Sequence, residues 1–395
     1  MYDKDNLDLF DESNGKMEEA AASQAVVDAG AKAEKYTPVI EDGKVVNDTS
    51  VTKCPSCGAN MVYSAERRKL YCNHCGAEKE IQEKRSSEQH IVSVLTDNAC
   101  GWEDESHVFV CQTCGAREIL DKNEIAKTCP FCGASNIVET GELPGLKPNA
   151  VVPFAINKES AGASVKKWIR KRLFAPRRFR KSAKPEKLEG VYTPAFTFDS
   201  ITETDYWARL GEYYYVSVTR NGKTERVRKI RYFNVSGHYT MAHDDVLIQA
   251  SGNIEQKFVD KMQPFNTNES QEYKKEYLSG FSATQYKKSG NICWQEAQGV
   301  MEQRVKYAAL GQYRYDVISS YNANTQHRNV TYKYVLLPVY VGHCKWGKKI
   351  YNLFVNGHSG KVAGKAPVSP IKVGALVTAI IGVLVGLYFL FTYLG

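Results

Sequence analysis

Eight of the 11 cysteines fall into four Cys-x-x-Cys pairs: Cys54/Cys57, Cys72/Cys75, Cys111/Cys114 and Cys129/Cys132. The last two repeat the spacing of the first two 57 positions later. In each set 14 residues separate the two pairs, a length that folds as a short hairpin and brings four thiolates round one tetrahedral metal. Each pair runs on into Gly-Ala, at Gly58, Gly76, Gly115 and Gly133. Glycine there permits the positive φ that curls the chain round a metal and turns backbone N–H groups toward the sulfurs. The chemistry this predicts is two structural zinc ions. Four thiolates leave no open position for water or substrate, so the sites are expected to hold folds together rather than catalyse. Reversible redox sensing through the same thiolates is the alternative chemistry. Thiolates kept for metal also imply a reducing compartment.

The other candidate residues are less patterned. Cys100, Cys293 and Cys344 lie outside the spacing and read as plain thiols, and His74 sits inside an already saturated knuckle. His243, Asp244 and Asp245 read as a turn cluster rather than as metal ligands. A basic window carries more weight. Between Lys166 and Lys187 there are 11 Lys/Arg and one acid, Glu186. We take Lys166, Lys167, Arg170, Lys171, Arg172, Arg177, Arg178 and Arg180 as candidates for contact with anionic lipid or a protein partner, with nucleic-acid phosphate as the competing ligand. No Gly-rich phosphate loop, nucleophile elbow or His-Glu zinc helix occurs in the sequence, so a catalytic role and a small-molecule substrate are not expected.

The elements that must position these residues follow from composition and periodicity. A chain of 395 residues, 43% hydrophobic, exceeds one ordinary domain and supports a real core. Residues 1–50 hold 12 acids against 5 bases, so a net −7 at the head leaves about +15 on the rest of a chain whose total is +8. We read 1–50 as an acidic disordered tail, with a short helix around Glu18 to Asp28 able to form on a basic surface. The first ribbon covers 51–81 and the second 108–140, with a linker at 82–107.

The fold class expected is multidomain: two small β zinc ribbons, an α+β domain with antiparallel sheet over 151–366, and one C-terminal transmembrane helix over 373–394. Within the α+β domain, Val165, Trp168, Ile169, Arg172 and Leu173 fit one face of an amphipathic helix closed by Pro176. Tyr213 to Val218 and Val227 to Phe233 flank Asn221-Gly222, a pair suited to a type I′ hairpin turn. A helix is expected from Ile292 to Ala308, then strands at Tyr332 to Val341 and Ile350 to Val355, with Asn356-Gly357 opening a tight turn toward Val362.

From Val373 to Leu394 there are 22 residues without a charge, enough for a helix to cross about 30 Å of hydrocarbon. Lys361, Lys365 and Lys372 precede the segment, and Tyr388 and Tyr393 lie near its end. By the positive-inside rule the expectation is a single-pass protein of the cell membrane with its N-terminus cytoplasmic. No apolar N-terminal stretch reads as a signal peptide, so the chain is expected to be tail-anchored.

Several of these segments also carry a resemblance. The double ribbon, VVPF at 151–154, KKWIRKRLFAPRRF at 166–179, GVYTPAFTFD at 190–199, YLSGF at 277–281, VLLPVYV at 335–341 and NLFVNGHSGKVAG at 352–364 together resemble the bacterial TFIIB-type zinc-ribbon membrane proteins. Members are encoded beside phage-shock and SPFH (stomatin/flotillin-like) proteins. The resemblance implies a role in membrane stress, as an adaptor that recruits an SPFH-type scaffold through protein–protein interaction. Where that family more often reads Pro-Phe-Trp-Leu-Phe, this chain has Pro194-Ala195-Phe196-Thr197-Phe198. The second function class is a nucleic-acid-binding or transcription-linked protein, in which Arg67, Arg68 and Lys69 would join the basic window on phosphates.

Overall fold

The computed structural model describes residues 40–41, 44–45, 52–95, 106–121, 128–140, 146–182, 188–220, 223–346 and 349–394. The expected helix around Glu18 to Asp28, Cys100 and the Asn221-Gly222 turn lie outside them, as does almost all of the acidic head. The chain divides into two units, 1–48 and 49–395, and of the first only residues 40–41 and 44–45 are described. In the first, β1 (Ile40–Glu41) and β2 (Lys44–Val45) pair antiparallel.

The second unit begins with β3 (Val62–Ser64), β4 (Lys69–Tyr71) and β5 (Glu78–Lys79), a three-stranded sheet of its own. A 12-stranded sheet follows. Its early strands are β6 (Gln89–His90), β7 (Ser106–Cys111), β8 (Arg117–Asp121), β9 (Ile137–Thr140) and β10 (Ala150–Val151), with the one-turn helix α1 (Val92–Leu95) after β6. Next come α2 (Lys158–Arg170), α3 (Arg177–Ser182), and two very long strands, β11 (Glu189–Arg220) and β12 (Lys223–Gln249). The chain continues through α4 (Gln256–Met262), β13 (Gln271–Glu272), β14 (Ser282–Thr284), α5 (Gly290–Leu310), β15 (Val317–Trp346), β16 (Lys349–Asn356), β17 (Val362–Gly364) and α6 (Pro370–Leu394).

The spine is β11 against β15, antiparallel from Glu189↔Val341 to Gly211↔Val317. The other edge of β11 takes β14 at Val191–Tyr192 and then β12 from Ala195 outward. The other edge of β15 takes β6, β10 and β16 in turn. Past Gly211 only β11 and β12 continue, as a two-stranded ribbon of about nine residues a side, roughly 30 Å long at about 3.3 Å per residue.

Strand alternation sorts this sheet into two faces. Near its base, Val191 and Ala195 point to one side and pack with Val335, Leu337, Phe258, Val259 and Met262. Tyr192 points to the other side, among Phe154, Val165, Ile169 and Phe179. Further along that second side, Phe196 and Phe198 meet Trp294, Ala297 and Met301 of α5, and Ala208 and Leu210 meet Ala309 and Leu310. Alternation along β11, unbroken by the register shifts that extra residues of β12 and β15 create at Asp199 and Ser200, keeps Thr202, Thr204, Tyr206 and Ala208 on that buried side. The opposite face of this blade is open, with Ile201 and Trp207 exposed.

One local expectation changes. Helix α2 stops at Arg170, six positions before Pro176, and Leu173 lies beyond it with its side chain 70% exposed. Val165 and Ile169 do form the buried stripe. The turn expected at Asn356-Gly357 forms, with the Gly360 N–H on the Asn356 carbonyl at 2.9 Å and Gly360 at a φ of 73°. Gly357 is fixed by space instead, since a Cβ there would strike the Phe154 ring.

Candidate metal centres

Each knuckle is built the same way. The N–H of Cys54 bonds the carbonyl of Ala59 at 2.8 Å, and the N–H of Gly58 returns to the carbonyl of Cys54 at 2.9 Å. Cys72, Cys111 and Cys129 repeat both bonds with Ala77/Gly76, Ala116/Gly115 and Ala134/Gly133. The four glycines have φ between +69° and +77°, a region costly for any residue with a Cβ. The spacing motif therefore becomes four copies of one tight loop. Burial resists ionisation of Cys54, but the N–H groups of Ser56 and Cys57 outweigh it and draw its thiol down to about 6. At Cys111 the N–H groups of Cys114 and Thr113 do the same, to about 7. Both thiols are thus prepared to act as thiolate ligands.

The loops bring the sulfurs together in two clusters, Cys54/Cys57/Cys72/Cys75 and Cys111/Cys114/Cys129/Cys132, with the ligand atoms of each set within 4.8 Å of one another. Sγ–Sγ separations are 3.4 Å for Cys54–Cys75, 3.5 Å for Cys57–Cys72, and 3.6 Å for both Cys111–Cys132 and Cys114–Cys129. A tetrahedron with metal–sulfur bonds of about 2.3 Å has edges of about 3.8 Å. The donor sets therefore fit two metal ions and are consistent with zinc. Cys54, Cys72, Cys111 and Cys129 are buried, whereas Cys57, Cys75 and Cys114 face outward.

The two clusters are attached differently. The first sits on its own small sheet and docks mainly by side chains: the Tyr63 hydroxyl donates to the Phe154 carbonyl at 3.3 Å, joined by one backbone bond from the Tyr63 N–H to the Ser279 carbonyl at 2.9 Å. Phe154 stacks on Phe281 at 4.1 Å and meets Tyr192 and Tyr340 edge-on. The second cluster is woven into the main sheet, since β7 pairs with β8 and β9, and β8 pairs with β14 at Ala283↔Ile119 and Thr284↔Glu118. The Glu118 carboxyl in that seam is pushed up to about 7, chiefly by burial.

Of the basic residues singled out in sequence, Lys166, Arg170, Arg177 and Arg180 line one cavity of about 460 Å³, with Ile169 and Lys181. Lys167, Lys171, Arg172 and Arg178 do not; Arg172 lies over the Trp168 ring at 4.3 Å. In the first ribbon, Arg67 is ion-paired with Glu78 and Lys69 with Glu80, so much of the charge there is already neutralised. His74 is exposed, and Cys293 and Cys344 are buried. Burial pushes the Cys293 thiol up to about 12, which makes it inert. His243 bonds Thr202 at 3.1 Å inside the blade, and burial holds it down at about 4.

Sequence reasoning missed two features. Asp199, Asp244 and Asp245 converge beside the register shift. There Asp199 accepts the Asp245 N–H at 2.5 Å, and the buried Lys333 ammonium stands 3.1 Å from Asp245 and 3.6 Å from Glu88. Burial, together with Glu88 alongside, raises Asp199 to about 7. Lys333 already supplies the positive charge that a cation would bring, so this is a structural network. The second feature is a run of Arg–Tyr pairs at the root of the ribbon, where Arg228 lies over Tyr213 at 4.3 Å, Arg226 over Tyr215 at 5.3 Å, Arg231 over Tyr214 at 5.9 Å and Arg209 over Tyr232 at 4.9 Å. The repeated Tyr213-Tyr214-Tyr215 opposite alternating arginines was the signal available in sequence.

The α6 helix is long and apolar enough to cross a membrane over Pro370–Tyr393, and its apolar window is not buried against any of the described residues. Fold and sites together define a multidomain protein with two zinc-ribbon-like Cys₄ modules, a large mixed-sheet body and one apolar C-terminal helix. No family model matches the chain, and no solved structure does. It is 28% identical over 344 residues to the uncharacterized protein YdjG of Bacillus subtilis (strain 168), an alignment spanning 84% of this chain and 94% of that one.

Proposed function

We propose that this protein is a tail-anchored membrane adaptor, a bacterial TFIIB-type zinc-ribbon protein that recruits an SPFH-type scaffold to the inner face of the cell membrane. The observation that carries the reading is the division of labour along the chain. Saturated Cys₄ modules brace the base of the body, the apolar helix leaves from that base, and the blade ends in a ribbon covered by nothing among the described residues. Exposed Tyr213, Tyr214, Tyr215, Val218, Val227 and Tyr232 give that ribbon the aromatic and aliphatic contact area a protein interface uses. The open sites of a zinc enzyme have no counterpart in the two clusters. Lys361 and Lys365 precede the helix, Lys372 lies in its first turn, and together they support an N-terminus on the cytoplasmic side.

The test is co-purification from detergent extracts with a co-expressed stomatin/flotillin-type scaffold. Three chains are compared: the intact one, one ending after Ile371, and one lacking 213–218 and 225–230. That paired deletion removes six residues from each strand and keeps every remaining side chain on its own face. The intact chain is expected to retain the scaffold, the chain ending at Ile371 to lose it from the membrane fraction, and the shortened ribbon to lose it altogether. Failure to recover scaffold with the intact chain removes the proposal's main support.

A second reading is favoured by one observation, the four Arg–Tyr pairs on the ribbon. Two-stranded ribbons enter nucleic-acid grooves, and stacked arginine and tyrosine suit bases and phosphates. A gel-shift titration at low and physiological salt decides it, because phosphate contacts weaken steeply with ionic strength. No shift at low salt eliminates nucleic acid.

A further inference from the structure

The cavity formed by Lys166, Arg170, Arg177, Arg180 and Lys181 lies at the root of the apolar helix. Three hydrogen bonds tie the turn between α2 and α3 to the start of α6. The Ser369 N–H bonds the Phe174 carbonyl at 2.8 Å, and the Lys372 ammonium donates to the carbonyls of Leu173 and Ala175 at 2.7 and 2.8 Å. That turn holds Leu173 and Phe174, exposed by 70% and 40%, beside the first turn of the helix. From the body side, Phe179 of α3 is buried against Trp346 and Tyr351 at 6.2 and 5.6 Å, so the cavity wall is fixed from below. Among the described residues none of the five cations lining it has an acidic partner.

We infer that this cavity binds the phosphate headgroup of an anionic phospholipid, with Leu173 and Phe174 entering the boundary of the acyl layer beside it. The inference rests on α6 crossing a membrane. Three facts converge on a lipid rather than another anion. Five unneutralised cations surround a volume of about 460 Å³, which accommodates a phosphodiester headgroup. Two large apolar side chains are held out to solvent next to it, where only a hydrocarbon boundary would cover them. The level is set by hydrogen-bonded attachment to the helix itself, so charge and apolar pair meet the headgroup region together once the helix is inserted. Fixing this site against the body also orients the blade relative to the bilayer.

The experiment uses the full chain in vesicles of phosphatidylcholine alone or mixed with phosphatidylglycerol. Alkaline carbonate extraction reports insertion, and native mass spectrometry of the detergent-released protein counts retained lipids. Wild type is expected to resist extraction and to carry phosphatidylglycerol in preference to phosphatidylcholine. The Arg177→Gln/Arg180→Gln variant is expected to remain inserted and to retain phosphatidylglycerol roughly tenfold less. A second variant, Lys166→Gln/Lys181→Gln, alters only exposed side chains, and a full metal content checks that either variant is folded. Inserted variants that keep wild-type lipid overturn the pocket, as does equal retention of both lipids. Displacement of the lipid by inorganic phosphate at matched concentration also overturns it, in favour of a free-phosphate site. Extraction of wild type by carbonate is a separate result, which refutes the spanning helix and the lipid site with it.

Discussion

The two Cys₄ modules share a spacing, a knuckle geometry and a set of positive-φ glycines, yet they are joined to the body in opposite ways. The first keeps a private three-stranded sheet and leans on the body through Tyr63, Phe154 and Phe281. The second gives its strands to the main sheet, whose ladder runs from β14 through β8 and β7 to β9. The metal signature thus specifies a loop and leaves attachment to the residues outside it. One module is a bolted part, the other a continuous extension of the sheet.

The largest contrast should appear on losing a ligand. Structural zinc sites contribute apparent free energies of about 10–16 kcal/mol to small folds, so Cys72→Ser and Cys129→Ser should each leave one bound metal instead of two. By hydrogen exchange, Cys72→Ser should expose residues 52–81 only, whereas Cys129→Ser should also open β14 and its junction with β11. Equal, local exposure in both would break the distinction.

A smaller effect isolates the side-chain joint. Phe154→Ala removes a buried ring that contacts Phe281, Tyr192 and Tyr340, and should cost about 3–5 kcal/mol. The loss should appear as a lower melting temperature in detergent, with earlier proteolysis of the first module while the second stays protected. Simultaneous loss of both modules would mean that the joint is not local.

The smallest contrast compares two equivalent glycines. Gly58 and Gly133 both have φ near +70°, so alanine at either carries about 1–2 kcal/mol of backbone strain. A Cβ at Gly58 meets nothing, whereas at Gly133 it would strike the His343 ring of β15. Gly133→Ala should therefore cost about 1–3 kcal/mol more than Gly58→Ala, and His343→Ala should restore most of the difference. Equal melting shifts without any rescue would show that the second module does not press on the sheet.

How much of this was legible in the sequence varies with the range of the interactions. The hairpin strands flanking Asn221-Gly222 could be read from local alternation, but their full length could not. From Asp199 to Arg209 the buried positions include Thr202 and Thr204, which signal no core. They are strand because β12 and β15 satisfy their backbone on both sides and α5 covers one face. Leu173 misled for the converse reason. Its spacing from Val165 and Ile169 fits a helical stripe, yet the chain leaves the helix at Arg170, and the helix-like period says nothing about where hydrogen bonding stops. The basic window was visible as a charge count; that five of its cations share one cavity depends on how α3 folds back against α2.

The sequence by itself determined the two Cys₄ sets, their four glycine loops and the apolar helix, because each is set by spacing or composition within a few turns of chain. Tertiary structure alone decided which module is bolted and which is woven into the sheet, that the blade has one covered face and one bare one, and that a cationic cavity sits at the root of the helix. Those outcomes depend on contacts between residues as much as about 200 positions apart, such as Lys372 with Leu173. No local period or spacing encodes them.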